Sequence, residues 1–271
     1  MISVYARPGR YTADARGCTK SMSVQEQIYL IETAILECIA KHLGTRKDMH
    51  DNLDEWRRSK ITLTSRITSR SARIIAENRD IIAKALRNEI EKAGYEAADV
   101  IEPMFVEASR KGRIGAIIPV RKDARVLELI DGARRQAAKG IDDVIAGLLK
   151  GASAQYLQAV TEAVQKVKAG TMTLDKAVAH TIKQWSERGI PSIMDKAGRL
   201  WSCEAYASMV VRTNVRNLTT AVQFGRMDTY GVDLMEISSH IGAREGGAPY
   251  QGKVFSKSGQ SRKYRPLTST S

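Results

Sequence analysis

Hydrophobic positions in the first half of the chain recur every three or four residues, which is the period of an amphipathic helix. The first such stripe begins at Ile28 and continues through Ile39. Ser23 precedes it, and Glu26 lies three residues later, so these two side chains can form a capping box. Gly44 follows the stripe, where glycine commonly ends a helix. The pattern therefore predicts a helix between residues 23 and 44.

A polar stretch over residues 46–70 separates this helix from a second long apolar pattern over residues 71–110. Within the second pattern, Gly94 is a candidate break. Pro103 predicts a kink or a new helix start, because proline has no backbone donor. A short apolar run at residues 116–120 suits either a strand or a turn.

Glycines punctuate the next part of the chain and predict that it forms several shorter helices. The predicted bounds are residues 123–138, 141–150 and 153–169, with Gly140, Gly151 and Gly170 after them. Another helix is expected after Thr173, where Asp175 would interact favourably with the dipole of the first turn.

The pattern changes after residue 190, where shorter elements of mixed type are predicted. Residues 199–201 suit a short strand, Ser202 can cap a helix that extends to Gly225, and residues 232–238 alternate like a strand with one buried face. We therefore predict a mainly α protein, with a long helical N-terminal part and a smaller α+β C-terminal domain. The predicted division is a basic arm at residues 1–22, a helical domain at 23–189 and an α+β domain at 190–271.

Composition narrows the possible partners. Lys and Arg number 43 against 30 Asp and Glu, so the net charge is +13, which favours polyanionic partners such as nucleic acid or an anionic membrane. A membrane-spanning protein is excluded, because no apolar run approaches the roughly 18 residues that a bilayer requires. The first twenty residues lack the apolar core of a signal peptide, so synthesis and folding in the cytoplasm are expected. Three widely spaced cysteines predict neither a disulfide framework nor a zinc site.

The basic side chains concentrate in three stretches: the N-terminal arm, a middle group over residues 46–73, and the C-terminal segment. A charge run is commonly a solvated face, and that interpretation stays open for the middle group. The C-terminal segment has no acidic residue after Glu245, and Phe255 and Tyr264 are interleaved with its cations. This combination predicts nucleic-acid contacts. The predicted nucleic-acid-binding residues are Lys253, Lys257, Arg262, Lys263 and Arg265.

The most distinctive stretch lies between the two short strands predicted near the C-terminus. It is rich in glycine and polar groups, and its characteristic residues are His240, Gly242, Ala243, Arg244, Pro249, Tyr250, Gln251, Gly252 and Lys253. One histidine without a nearby second ligand does not predict a metal site. The charged groups either hold an irregular loop to the domain core or bind a partner.

Written as H-x-G-A-R-x-x-x-A-P-Y-Q-G-K-V-F-S over residues 240–256, this stretch resembles the signature of the phage minor capsid protein 2 family, which is related to Mu-like head morphogenesis proteins. Upstream runs at residues 189–213 and 230–234 also resemble that family. The resemblance is close over residues 184–271. In the helical half, only the general helical character is similar. Glu245 stands where the family favours proline, and such proteins continue beyond the position of Ser271.

The resemblance implies a virion component that is made in the host cytoplasm and carried in the capsid interior or at the portal vertex. The implied partners are the portal protein, the major capsid protein or both, together with packaged double-stranded DNA. It implies no cofactor, metal, membrane, small-molecule substrate or catalytic residue.

Two other function classes compete with this interpretation. One is a nucleic-acid-binding protein that is not part of a virion. The other is a toxin domain resembling ADP-ribosyltransferases, suggested by Arg212 and the Ser-Thr-Ser run at residues 269–271. The Glu-x-Glu carboxylate that such chemistry requires does not follow, and the sequence contains no nucleophile elbow or P-loop. We therefore predict a non-enzymatic structural protein.

Overall fold

A computed structural model describes residues 22–44, 52–188, 191–194, 198–237, 239 and 248–267 of the chain. The described helices are α1 (Val24–Leu43), α2 (Leu53–Thr62), α3 (Thr64–Arg110), α4 (Ala124–Lys168), α5 (Leu174–Arg188) and α6 (Cys203–Thr229). The described strands are β1 (Pro191–Met194), β2 (Leu200–Ser202), β3 (Leu234–Glu236), β4 (Val254–Ser256) and β5 (Arg265–Pro266). The predicted fold class, mainly α with a small α+β C-terminal part, is confirmed.

The chain forms two compact units, each made of segments that are distant in sequence. The first unit comprises residues 1–92 and 131–216, and the second comprises residues 93–130 and 217–271. The division between them falls inside α3, α4 and α6. The domain boundaries drawn from the sequence at residues 22 and 189 stay a prediction, and the basic arm lies almost wholly outside the described residues.

Helix α1 begins and ends as its sequence predicts. The Ser23 hydroxyl accepts from the Glu26 amide at 3.2 Å, and the Glu26 carboxylate accepts from the Ser23 amide at 2.6 Å, which completes the capping box. A third helix-end amide, that of Val24, donates to the Glu89 carboxylate at 2.7 Å. Burial raises the pKa of Glu89, although the hydrogen bond from the Val24 amide acts to lower it. The N-terminus of α1 is therefore stabilised both by the hydrogen bonds of its own cap and by a hydrogen bond to Glu89 of α3.

The polar stretch after α1, where the sequence pattern predicts no element, contains α2 and the first turns of α3. Its buried face has a helical period, because Trp56, Lys60, Ile67 and Ser71 are all buried at spacings of four and seven residues. Two of these four side chains are polar, so the apolar stripe that would have indicated a helix is interrupted.

Gly94 and Gly140 inside the long helices mark close contacts and do not end the helices. Helix α3 continues through Gly94 and Pro103, and α4 continues through both Gly140 and Gly151, so three predicted helices are one. A Cβ on Gly94 would lie 2.5 Å from Ile130 Cγ1, and one on Gly140 would lie 2.6 Å from Cγ1 of Val210. The breaks predicted at Gly94 and Gly140 were therefore wrong, because these glycines allow a neighbouring side chain to approach the helix backbone. No new helix starts at Pro103.

The strand near residue 200, the Ser202 cap and a strand within 232–238 are confirmed, but that last strand spans only Leu234–Glu236 and has no buried residue, so its predicted buried face was wrong. Strand β2 pairs antiparallel with β1, and the Ser202 hydroxyl accepts from the Ala205 amide at 3.2 Å at the start of α6. Strands β3, β4 and β5 form a second sheet in that order. The apolar run at residues 116–120, which by its sequence suits either a strand or a turn, precedes a 3-10 turn at Val120–Lys122 and forms no strand.

Candidate nucleic-acid interface

The predicted basic residues lie on the three-stranded sheet of the second unit. Strand β4 is central, antiparallel to β3 and parallel to β5, with Phe255 opposite both Met235 and Arg265. Beyond the end of β3, the Ile237 amide donates to the Lys253 carbonyl at 3.1 Å and the Ile237 carbonyl accepts from the Gly252 amide at 2.7 Å. The distinctive loop is therefore closed at its base by a pair of backbone hydrogen bonds.

Asp233, just before β3, holds the other end of β4. Its carboxylate accepts from the Ser256 hydroxyl at 2.5 Å and from the Ser258 amide at 2.7 Å, while its carbonyl accepts from the Lys257 amide at 2.8 Å. The Ser256 and Ser258 hydrogen bonds lower the pKa of Asp233 below its ordinary value. This contact fixes the start of β3 relative to the chain that leads away from β4.

Four of the five predicted cations gather at one end of this sheet. Because β4 and β5 are parallel, Lys253, just before β4, and Lys263, just before β5, lie toward the same end of the sheet. Arg262 and Arg265 are also exposed there.

Lys257 lies at the opposite end of β4 and has a partner. Its ammonium group forms an ion pair with Asp228 of α6 and donates to the Phe224 carbonyl at 3.3 Å. Asp228 also pairs with Arg125 at 2.8 Å. Although the segment itself contains no acidic residue, Lys257 therefore has a counter-charge, which comes from an earlier helix.

The described part of the family-like motif is structural in its contacts. Pro249 and Tyr250 belong to the 3-10 turn Ala248–Tyr250, and the ring of Tyr250 packs 6.1 Å from the ring of the buried Phe255. Gly252 has φ +66, a conformation that favours glycine, and Gln251 precedes it. His240, Gly242, Ala243 and Arg244 lie outside the described residues.

A buried ionic cluster, which the sequence did not predict, lies in the same unit. Arg226 of α6 is fully buried and donates to both oxygens of Glu102 at 2.6 and 2.7 Å and to Asp123 at 2.7 Å. It also donates to the Ile118 carbonyl and to the Tyr230 hydroxyl, each at 3.0 Å. One guanidinium therefore joins α3, the start of α4, α6 and the segment between α3 and α4.

The electrostatics of this cluster favour its charged form. Burial by itself would raise the pKa of Asp123, but hydrogen bonds from Arg226, from Thr229 and from two backbone amides outweigh it and lower that pKa. Burial would likewise lower the pKa of Arg226, and the two carboxylates outweigh it and raise that pKa. Asp123 also caps α4, because its carboxylate accepts from the Arg125 amide at 3.0 Å.

The middle basic group divides into buried and exposed members. Lys60 is fully buried and donates to the His42 carbonyl in the last turn of α1 at 2.8 Å, where a cation stabilises the negative end of the helix dipole. By contrast, the cations of this group at positions 57, 58, 66, 70 and 73 are exposed. Arg46 and Lys47 lie outside the described residues.

Two other kinds of feature are absent from the described residues. None of the helices there is long and apolar enough to cross a membrane. No group of three or more His, Cys, Asp or Glu side chains in that part of the chain could hold a metal ion.

Comparison with known proteins places these features in a family context. The family described as phage minor capsid protein 2 matches residues 23–270. This range includes the helical half, in which the sequence motifs showed no close resemblance. A protein named "Structural protein" from Lactococcus phage LL-H is 24% identical over 212 residues. That alignment covers 75% of this chain and 56% of the relative, so the chain spans little more than half of that protein's length. No solved structure matches the chain.

Proposed function

The chain belongs to the phage minor capsid protein 2 family, and on that premise we propose that it is a minor structural protein in the head of a tailed bacteriophage. The observation that carries the proposal is the family match over residues 23–270, because it covers both the helical part and the small sheet. The relative from Lactococcus phage LL-H supports a structural role in a phage particle.

We assign its action to binding and not to catalysis. The contacts of the motif residues Tyr250 and Gly252 shape a loop, and the buried Arg226 cluster satisfies its own charges internally. The proposed protein partners are the portal protein, the major capsid protein or both, which would hold the chain in the capsid interior or at the portal vertex.

The proposal extends to packaged DNA through one end of the β3–β4–β5 sheet. Lys253, Arg262, Lys263 and Arg265 are exposed there, and duplex DNA presents about one phosphate charge per 1.7 Å of its axis. Lys257 supports this surface indirectly, since its pair with Asp228 ties the segment to α6.

Mass spectrometry of purified virions tests the head assignment. The protein should be present after the particles are banded and washed, at a copy number far below that of the major capsid protein. Absence from intact particles that contain their portal protein would refute the assignment.

Salt-dependent DNA binding tests the sheet-edge contacts. The triple variant R262A/K263A/R265A should lower the log–log slope of affinity against salt by about 0.9 per lost phosphate contact. The matched variant R110A/K111A/R113A removes three exposed cations of the same unit that do not belong to the sheet, and it should leave the slope unchanged. An unchanged slope in the triple variant would contradict DNA contact at this edge.

A further inference from the structure

A second exposed basic surface lies on the first turns of α3, in the first unit. It is an open groove of about 410 Å³ that is lined by Ser65, Arg66, Ser69, Arg70 and Arg73, and we call it the arginine–serine groove. These residues recur at spacings of three and four, so they share one side of the helix. All five are exposed.

The cations of this groove are available to a ligand. Among the described residues, Arg66 and Arg70 have no ion-pair partner, and Arg73 contacts only the exposed Glu77, at 3.4 Å. Exposed pairs of that kind contribute little and exchange readily with another anion. No acidic residue lines the groove.

A neighbouring thiol shows how far this positive field reaches. Burial raises the pKa of the Cys38 thiol in α1, and the charges of Arg70 and Lys41 act against it. Arg70 therefore lies close enough to α1 for its charge to act on this thiol, and Lys41 is exposed as well.

The chemistry of the lining residues distinguishes between classes of partner. Protein interfaces concentrate aromatic residues, Met and Arg at their centre and are poor in Ser; this groove has the arginines but contains two serines and no apolar side chain. Arginine and serine are instead among the side chains that donate to phosphate oxygens in protein–DNA complexes. The lining residues also include no aromatic ring on which an unpaired base could stack.

The spacing suits a polymer of phosphates better than a single anion. At 1.5 Å of rise per residue, Arg66 and Arg73 are separated by about 10 Å along α3. One DNA strand presents a phosphate at about every 3.4 Å of the DNA axis, so cations spread over that length can contact more than one phosphate.

We propose that the arginine–serine groove binds the sugar–phosphate backbone of double-stranded DNA without reading its sequence. This deepens the proposed function and rests on it for the source of the DNA, which would be the packaged genome. It adds a contact surface on the first unit that is separate in the chain from the sheet edge of the second.

The test compares two double variants of the full chain that remove the same charge from the same helix. R66A/R70A removes two groove cations, and K84A/R87A removes two exposed cations of α3 that do not line the groove. Binding to a short mixed-sequence DNA duplex is followed by fluorescence anisotropy over a range of salt concentrations. Circular dichroism confirms the helix content of each variant, and alanine is the best helix former, so both should stay folded.

R66A/R70A should lower the log–log salt slope by about 1.8 and weaken binding equally for unrelated DNA sequences, while K84A/R87A leaves the slope unchanged. R66K/R70K retains both charges and should keep most of the slope. An equal loss of slope in the two alanine variants would overturn the proposal, because the effect would then be one of net charge. An unchanged slope in R66A/R70A would also overturn it.

Polyglutamate serves as a second probe for the alternative partner, an acidic protein surface. If R66A/R70A weakens polyglutamate binding as much as DNA binding, a DNA site is refuted. These outcomes are independent of the head assignment, since absence from virions would refute the proposed function while the groove could still bind DNA in solution.

Discussion

Replacing Arg226 by alanine tests the physical reasoning most directly, because this side chain is the centre of the buried cluster in the second unit. The side chain of Arg226 is 0% exposed, and its partners Glu102 and Asp123 are 19% and 5% exposed. The variant would leave two largely buried carboxylates without their cation. Removing one partner of a buried ion pair costs about 3–5 kcal/mol.

The structure indicates the lower part of that range, about 3 kcal/mol. Glu102 keeps some contact with water, and Asp123 keeps hydrogen bonds from the Arg125 amide and from the Thr229 hydroxyl, at 3.0 and 3.1 Å. For a chain of this size, such a loss lowers the melting temperature by roughly 6–12 °C. Arg226→Lys should recover only part of the loss, because one ammonium group cannot reproduce the planar fork that reaches both carboxylates.

The dependence of stability on pH gives an independent check that the contact between Arg226 and Asp123 is stabilising. The pKa of Asp123 is lowered in the folded protein, so its contribution to stability is present above its ordinary value near 4 and is lost as the pH falls through the folded value. The difference between wild type and Arg226→Ala should therefore be largest at neutral pH and shrink below about pH 4.

Urea unfolding followed by circular dichroism measures the stability, and hydrogen exchange with mass spectrometry locates the loss. Exchange should accelerate in residues 93–130 and 217–230. Arg79→Ala is the matched control, since Arg79 pairs with Asp142 at 3.2 Å on the surface, where such pairs contribute less than about 1 kcal/mol. A loss below about 1 kcal/mol in Arg226→Ala, or one that does not change with pH, would refute the assignment of this cluster as a stabilising contact.

Three further predictions concern positions of the first unit. Gly132→Ala should stabilise α4 by about 0.5–1 kcal/mol, because no atom lies within 4 Å of the added Cβ, whereas Gly140→Ala should destabilise the same helix through its contact with Val210; thermal melts of the two variants should shift in opposite directions. Ser71→Ala should raise the melting temperature or leave it unchanged, because the buried Ser71 hydroxyl has no hydrogen-bond partner among the described residues, and a fall of several degrees would reveal a partner. Burial raises the pKa of Cys38, so peptide-resolved alkylation of its thiol at pH 8 should be slower than that of a free cysteine and should accelerate as the pH rises; a rate equal to that of the free thiol would contradict the burial.

The helix ends and strands that the sequence predicted correctly are those defined by neighbouring residues. Ser23 and Glu26 are three positions apart, so the capping box of α1 is legible in the chain itself. Ser202 at the start of α6 is a signal of the same kind. The family signature in residues 240–256 is also contiguous, which is why the amino-acid sequence alone indicates a phage capsid protein.

The helix boundaries that the sequence predicted wrongly depend on contacts with residues that are distant along the chain. Gly140 resembles a helix end in the sequence, yet it lies inside α4 because Val210 packs against its backbone from α6. Lys60 and Ser71 interrupt an apolar stripe that would otherwise have predicted the helices around them. A hydrophobic pattern reports burial only when the buried side chains are apolar.

The ionic contacts were decided by the tertiary structure alone. Arg226 and Glu102 are separated by 124 positions, and Lys257 and Asp228 by 29, so no local pattern identifies them as partners. The sequence determined the mainly helical class, the family and the surplus of positive charge. The fold determined which cations are neutralised by buried or neighbouring carboxylates and which remain exposed, because the Coulomb energy of a pair depends on its separation and surroundings in space and not on its distance along the chain.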